Sequence, residues 1–223
     1  MQPCQQQQSF LQYYFTVEGE TEKWYLQWLQ STINAAPTSK FRRIAIDCPV
    51  QKDPLKRAKS LVSLEKTKIT HIFDYESNDD IHTTQFLTTL TRMKNAQNLG
   101  KSINYQLGYS NFTFELWMLL HKIDCSGAIS HRRQYLSFIN RAYNENFENL
   151  DQYKHENNFK RVLSKLSLDD VCKAISRAKS IMQNNKNNLL ILHQYKGYKY
   201  YKENPSLSIW EEIERILLDC NLL

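Results

Sequence analysis

The sequence predicts an α/β protein, a parallel sheet flanked by helices with a C-terminal helical extension, and three observations carry that expectation. Before residue 122, β-branched or aromatic runs alternate with stretches of helical periodicity four times. Such a rhythm is what a parallel sheet covered by helices on both faces requires. The composition is globular: of 223 residues, 41% are hydrophobic and 23% charged, which excludes wholesale disorder. After residue 122 helical periodicity continues without strong strand patterns.

The first nine residues are polar and glutamine-rich and read as a disordered tail. Phe10–Val17 (FLQYYFTV) reads as a buried strand that ends at Glu18-Gly19. Trp24, Tyr25, Trp28, Leu29 and Ile33 then form one helical stripe. Phe41–Cys48 alternates and is the second strand. A helix opening near Pro54, a residue tolerated in a first turn, carries Leu55, Ala58, Leu61, Val62 and Leu64. Ile69–Phe73 is a short strand running into Asp74. Phe86, Leu87, Leu90 and Met93 mark the next helix, with Asp79 and Asp80 as its capping region. Ser102–Leu107 is the fourth strand and Phe114–His121 (FELWMLLH) a strongly apolar helix.

Farther on, Leu168, Val171, Ile175, Ala178 and Met182 repeat at helical spacing, and Asn184–Asn188 (NNKNN) reads as breaking that helix. Leu189–Leu192 reads as a short strand or a helix stub. Ile209, Ile213, Ile216 and Leu217 mark a terminal helix after Asn204-Pro205-Ser206. The expected organisation is a tail over 1–9, an α/β domain over 10–122, and a helical extension over 123–223 packed on it.

The net charge of +6 favours a polyanionic partner without specifying one. Cys4, Cys48, Cys125, Cys172 and Cys220 are odd in number and lack Cys-x-x-Cys spacing, which argues against a disulfide framework or a zinc site. No apolar run reaches the ~18 residues of a membrane span, and the N-terminus lacks a signal-peptide pattern. A soluble protein of the reducing cytoplasm, with no membrane partner, is expected.

In parallel sheets the ligand site lies beyond the carboxyl ends of the strands. The first strand ends at Glu18; Gly19 permits a tight turn, and Glu20 and Glu22 follow in the first helical turn. The third strand ends at Asp74, with Glu76 two residues on, so an extended backbone would project both to one side. Clustered carboxylates are what Mg²⁺ needs for phosphodiester chemistry, because it prefers oxygen ligands and keeps several waters. The same residues have a plainer reading. Acids at a helix start complement its dipole and cap free N–H groups, and Asp is usual in loops after strands. Spacing alone leaves both readings open.

Tyr14–Tyr25 (YFTVEGETEKWY) resembles the opening motif of the RloB-like family, a group of Toprim-type proteins. The resemblance continues at Ile72–Glu76 (IFDYE), at Asn111–His121 (NFTFELWMLLH) and at Asn204–Leu217 (NPSLSIWEEIERIL), and so covers nearly the whole chain. It implies a Toprim-like sheet in which Glu18 is a metal ligand or general acid/base. Asp74 and Glu76 would be the metal-binding pair for Mg²⁺ or Mn²⁺, with Glu76 standing where aspartate is commoner. Leu207 stands where a threonine is usual, so no role is carried onto it. The resemblance further implies a metal-dependent nuclease acting on DNA or RNA, tRNA included. It would be the effector of an antiviral abortive-infection system, beside a partner ABC-type ATPase; self-association is left open.

The expected catalytic set is Glu18, Glu22, Asp74 and Glu76, with Glu115 in support. Glu115 opens the FELWMLLH helix, and its plainer reading is a helix-start acid. His121 reads as a satisfied partner at a helix end rather than a catalytic group. Residues 193–202 (HQYKGYKYYK) interleave tyrosine and lysine, as single-strand-binding surfaces do, so Lys196, Lys199 and Lys202 are candidate nucleic-acid contacts. An edge strand whose lysines discourage pairing explains them as well. Lys122, Arg132 and Arg133 are candidates for holding a scissile phosphate, and Tyr153-Lys154 could contribute similarly. The basic stretch Lys40–Lys68 reads as a solvated face. A different class stays open: a non-catalytic sensor or regulatory subunit that binds a nucleotide or viral trigger in the same acidic pocket. A primase or topoisomerase fragment is disfavoured, since neither a topoisomerase tyrosine domain nor a zinc module is recognisable.

Overall fold

The computed structural model describes residues 9–37, 42–61, 66–125, 127, 129 and 131–223. Most of the tail, Lys40, Phe41, Val62 and Leu64 lie outside the described residues. In chain order the elements are β1 (Ser9–Val17), α1 (Glu20–Ala35), β2 (Arg42–Asp47), α2 (Pro54–Ser60), β3 (Thr67–Asp74), α3 (Asp80–Gln97), β4 (Ile103–Asn111) and α4 (Glu115–Leu120). A 3₁₀ turn at Arg132–Gln134 leads into α5 (Tyr135–Tyr143), α6 (Leu150–Lys154), α7 (Glu156–Leu163) and α8 (Leu168–Asn187). The chain ends with β5 (His193–Tyr195), β6 (Tyr198–Tyr200), β7 (Ser206–Leu207) and α9 (Ile209–Asp219).

The main sheet has the order β2-β1-β3-β4-β7. Its first four strands are parallel, and β7 pairs antiparallel with Ser110 and Asn111 of β4. The parallel α/β sheet expected from the alternating pattern is therefore present. From β1 the chain moves outward to β2 and then returns to the other side of β1 as β3. That reversal opens a crevice at the carboxyl ends of β1 and β3, the usual ligand position in such sheets.

Alternation along the strands feeds two cores. On one face Tyr13, Phe15 and Val17 of β1 pack with Tyr25, Leu29 and Ile33 of α1, with α4, and with α8 and α9. On the other, Ile69 and Phe73 of β3 and Tyr105 and Tyr109 of β4 pack under Phe86, Leu90 and Met93 of α3 and the tyrosines of β6. Asp53 caps α2 through Leu55 N (2.9 Å), and Asp79 caps α3 through His82 N (2.9 Å).

Three expectations are corrected. The NNKNN run does not break α8, which continues to Asn187. Gln183 Nε2 donates to Asn187 Oδ1 (2.8 Å) along the helix, and Asn185 Nδ2 donates to Pro205 O (2.9 Å), so one helical and one tertiary bond engage amides that would otherwise compete with the backbone. Leu189–Leu192 is neither strand nor helix stub: Leu189 sits at φ 57 and regular structure resumes at His193. The part after residue 122 is not purely helical, because it returns the β5–β6 hairpin to α3 and β7 to the sheet.

Candidate active site

Glu18 leaves β1 at the crevice and Asp74 is the last residue of β3. The Asp74 backbone N–H donates to the Glu18 carboxylate. Burial, above all, pushes the Glu18 carboxyl up from its ordinary 4.5 to about 7; Lys52 opposes this and Glu22 adds to it. Gly19, extended at φ −137 and ψ 172, occupies the N-cap position of α1 and offers no side-chain cap. Glu22 supplies the missing acceptor by folding back. Its Oε2 accepts from Thr21 Oγ1 (2.9 Å), and its carboxylate is also bonded by its own backbone N–H. A Cβ on Gly19 would stand 2.9 Å from Glu22 Oε2, so this close approach requires glycine.

Asp74 is raised well above the usual carboxylate range, first by burial and then by the charges of Glu22, Glu115 and Glu18. Glu22 is likewise raised, chiefly by burial, with Glu115 adding. Glu115, in the first turn of α4, is 1% exposed. Among the described residues, Asp74 Oδ1, Glu115 Oε2 and Thr113 Oγ1, which line one cleft, are buried without a hydrogen-bond partner. Such orphaned buried oxygens are costly.

A cation already stands among these acids. Lys154, the last residue of α6, places Nζ 3.0 Å from Glu115 Oε1. Burial would lower its pKa, but Glu115, Asp74 and Glu22 together carry it above the ordinary lysine value.

Glu76 behaves differently from the four acids just described. Its backbone turns to φ 58, with its N–H donating to Phe112 O (2.9 Å), so the extended geometry expected for Asp74-Tyr75-Glu76 is not what forms. The carboxylate instead meets His82 Nε2 at 2.9 Å and Arg132 Nη1 at 3.7 Å, while His82 Nδ1 lies 2.5 Å from Asp79 Oδ2.

The structure thus brings together Glu18, Glu22, Asp74 and Glu115; Glu76 lines the same crevice, with its carboxylate turned to His82 and Arg132. Arg132 and Arg133 line a cleft of about 480 Å³ with Asp74, Glu115 and Lys154. Lys122 is elsewhere, paired with Asp170 Oδ2 (2.9 Å) beyond the far end of α4. Lys196 and Lys199 line a separate cleft with Asn104 and Gln106, toward the amino end of β4. Lys202 stands beside the carboxyl end of β4, its carbonyl accepting from Asn111 Nδ2 (2.8 Å). His121 is a core residue held by Tyr25 Oη (3.1 Å) and Trp117 O (2.9 Å), and burial lowers its pKa to about 4. Lys52, Thr113 and His82 reach the crevice without having been singled out as site residues.

Oxygen ligands only, two of them orphaned, suit a hard divalent cation such as Mg²⁺. As the side chains stand, with Lys154 among them, no three His, Cys, Asp or Glu residues among the described residues are arranged to hold a metal ion. The donor chemistry fits; the ammonium occupies part of the space.

Fold and site together define a parallel α/β protein that gathers buried carboxylates at its topological switch point. A family model described as RloB-like protein matches residues 13–216, and the chain belongs to that family. No curated protein and no solved structure gives a significant match. Among the described residues no helix is long and apolar enough to cross a membrane.

Proposed function

We propose that this chain is a metal-dependent nuclease that hydrolyses phosphodiester bonds of DNA or RNA, and that an ABC-type ATPase partner restrains or triggers it in antiviral defence. The observation that carries the reading is the group of Glu18, Glu22, Asp74 and Glu115 at the strand ends, with buried oxygens lacking partners. Glu18, Asp74 and Glu115 would hold Mg²⁺ or Mn²⁺, which when bound supplies Lewis acidity and an activated water. Where Glu18 does not itself ligate the cation, its carboxyl, raised to about 7 by burial, can take or return a proton at working pH. Arg132 and Arg133, on the wall of the Asp74–Glu115 cleft, can orient the phosphate through guanidinium hydrogen bonds. Glu22, bound back onto the start of α1, adds negative charge that favours a cation beside Asp74.

The test compares wild type with Glu18→Gln and Asp74→Asn on end-labelled single-stranded DNA, duplex DNA, RNA and tRNA in Mg²⁺ or Mn²⁺. Cleavage by wild type and none by either variant, with neither variant less stable than wild type, is the expected result; activity retained in both variants would sink the mechanism. Expression with and without the partner ATPase, followed by sequencing of cleaved ends, identifies substrate and trigger together. The second reading, a non-catalytic subunit binding a nucleotide or viral trigger, is favoured by one observation: Lys154 already neutralises Glu115. Nucleotide binding in the cleft without cleavage of any nucleic acid would support it.

A further inference from the structure

Lys154 is a charged group of the pocket that the nuclease reading leaves without a part, and it is the one paired with Glu115. Its helix, α6, has only five residues and is fixed from outside. Asn149 Oδ1 accepts from Gln152 N (2.8 Å), and buried Tyr153 packs its ring between Phe147 and Phe159, at centroid distances of 5.7 and 5.5 Å. The root of the lysine is therefore held, while its side chain keeps 40% of its exposure against 2% for Glu115. Only the lysine can leave that pair for solvent. Glu115 offers Oε1 to Lys154 and keeps Oε2 buried and unpartnered, so the carboxylate has an acceptor to spare. Lys154 also borders both openings of the pocket, the cleft of Arg132 and Arg133 and the mouth beside Glu18 and Gly19.

We propose that Lys154 is the pocket's tethered counter-ion, which neutralises Glu115 in the metal-free protein and competes with a divalent cation for that carboxylate. The inference rests on the metal-dependent reading above. Desolvated acids without a cation repel one another, and one mobile ammonium relieves this at the expense of metal affinity. Withdrawn from Glu115, the ammonium remains at the mouth of the cleft, where it faces an incoming phosphate.

Calorimetric titration of the full chain with Mn²⁺, and unfolding midpoints in EDTA and in Mn²⁺, test this on wild type, Lys154→Met and Lys154→Arg. The methionine variant should bind Mn²⁺ about tenfold or more tightly than wild type. It should unfold at lower temperature in EDTA and recover the difference in Mn²⁺, while the arginine variant stays within roughly threefold of wild type in affinity. Equal or weaker Mn²⁺ binding by Lys154→Met, or destabilisation that Mn²⁺ does not recover, would overturn the proposal and assign Lys154 a purely structural part. Should that variant not fold, Lys154→Gln carries the same comparison. In a Glu115→Gln background the change at 154 should lose its effect on affinity, and an undiminished effect would also overturn it. Mn²⁺ binding of identical affinity in wild type and variant defeats this inference alone; absence of binding in both defeats the metal-dependent reading with it.

Discussion

At the carboxyl end of β4, a cleft of about 480 Å³ is lined by Asp74, Glu115 and Lys154; at its amino end, one of about 450 Å³ is walled by Lys94, Lys196 and Lys199. The two are alike in size and both carry lysines. They differ in which buried polar atoms lack a partner: among the described residues, the amino-end cleft leaves one hydroxyl, Thr70 Oγ1, and the carboxyl-end cleft leaves two carboxylate oxygens and a hydroxyl. Beside the amino-end cleft, Tyr105 Oη donates to Pro54 O (2.9 Å), and Gln97 Nε2 donates to Tyr198 Oη (3.0 Å) and Tyr105 O (3.2 Å). In the carboxyl-end cleft, Asp74 Oδ1, Glu115 Oε2 and Thr113 Oγ1 have no partner. Volume and surface charge therefore do not distinguish the two clefts, whereas unpartnered buried carboxylate oxygens do, and they are what the proposed nuclease reading rests on.

The strongest way to break that contrast is to compare cleavage after changing each end. Asp74→Asn should lower the cleavage rate by at least about a hundredfold, since loss of even a supporting group at a metal site costs roughly 10–100-fold. The double change Lys196→Gln with Lys199→Gln should lower it by less than about threefold. Asn104 and Asn111 are seven positions apart on β4, which is about 23 Å of strand. A large loss in the lysine pair would show that substrate spans both clefts and that the tyrosine–lysine hairpin binds nucleic acid.

The acidic end should also impose a pH dependence on stability that the other end lacks. Glu18 is raised from 4.5 to about 7 in the folded chain, so folding favours its protonated form. Its contribution is fully present below about pH 4.5 and is lost as the pH rises through 7. Urea unfolding of wild type without metal should show a fall on the order of 2 kcal/mol across that window attributable to Glu18, and Glu18→Gln should remove that part. An identical pH profile in the variant would place the titrating group elsewhere.

What the sequence made legible follows the same division. Apolar periodicity located β1, α1, β3, α3 and α4, because each buries a stripe or alternating face against one of the two cores. Glu18, Glu22, Asp74 and Glu115 could be read because they stand directly at the ends of those elements. Lys154 could not: Asn149 and the rings around Tyr153 place α6 locally, but nothing local says that the last residue of this short helix meets Glu115, far back in the chain. The direction of Glu76 was equally hidden. It depends on a left-handed φ fixed by the bond from its N–H to Phe112 O, across the sheet from its own strand. The hairpin carries two patterns at once: residues 193–202 interleave lysine with tyrosine, and Lys196 and Gly197 at φ 54 and 94 form its tight turn, which suits a two-residue hairpin.

Gly19→Ala sharpens the contrast at smaller cost. The backbone there accepts alanine, but the new Cβ must displace the Glu22 carboxylate, which lies at the flexible end of its side chain. Stability should change by less than about 1 kcal/mol, while cleavage falls severalfold as Glu22 leaves its place at the head of α1. A cleavage rate equal to wild type would remove Glu22 from the working set.

The smallest effect belongs to the amino end. Tyr198→Phe removes the hydroxyl that accepts from Gln97, but Gln97 keeps Tyr105 O at 3.2 Å and Asn104 Oδ1 at 3.4 Å as acceptors. The lost bond should then cost about 0.5–1 kcal/mol, the low side of the usual range, because no donor is stranded. The ring stays where it packs against the aromatic layer over β3 and β4. Denaturant midpoints of the variant read the stability term, and Mn²⁺ affinity reads any coupling to the acids. An unchanged affinity with a small loss of stability is the expected pair. A shift in Mn²⁺ affinity would mean that the two ends of β4 communicate through that aromatic layer, where Tyr75, next to Asp74, stands 6.0 Å from Tyr200 between ring centroids.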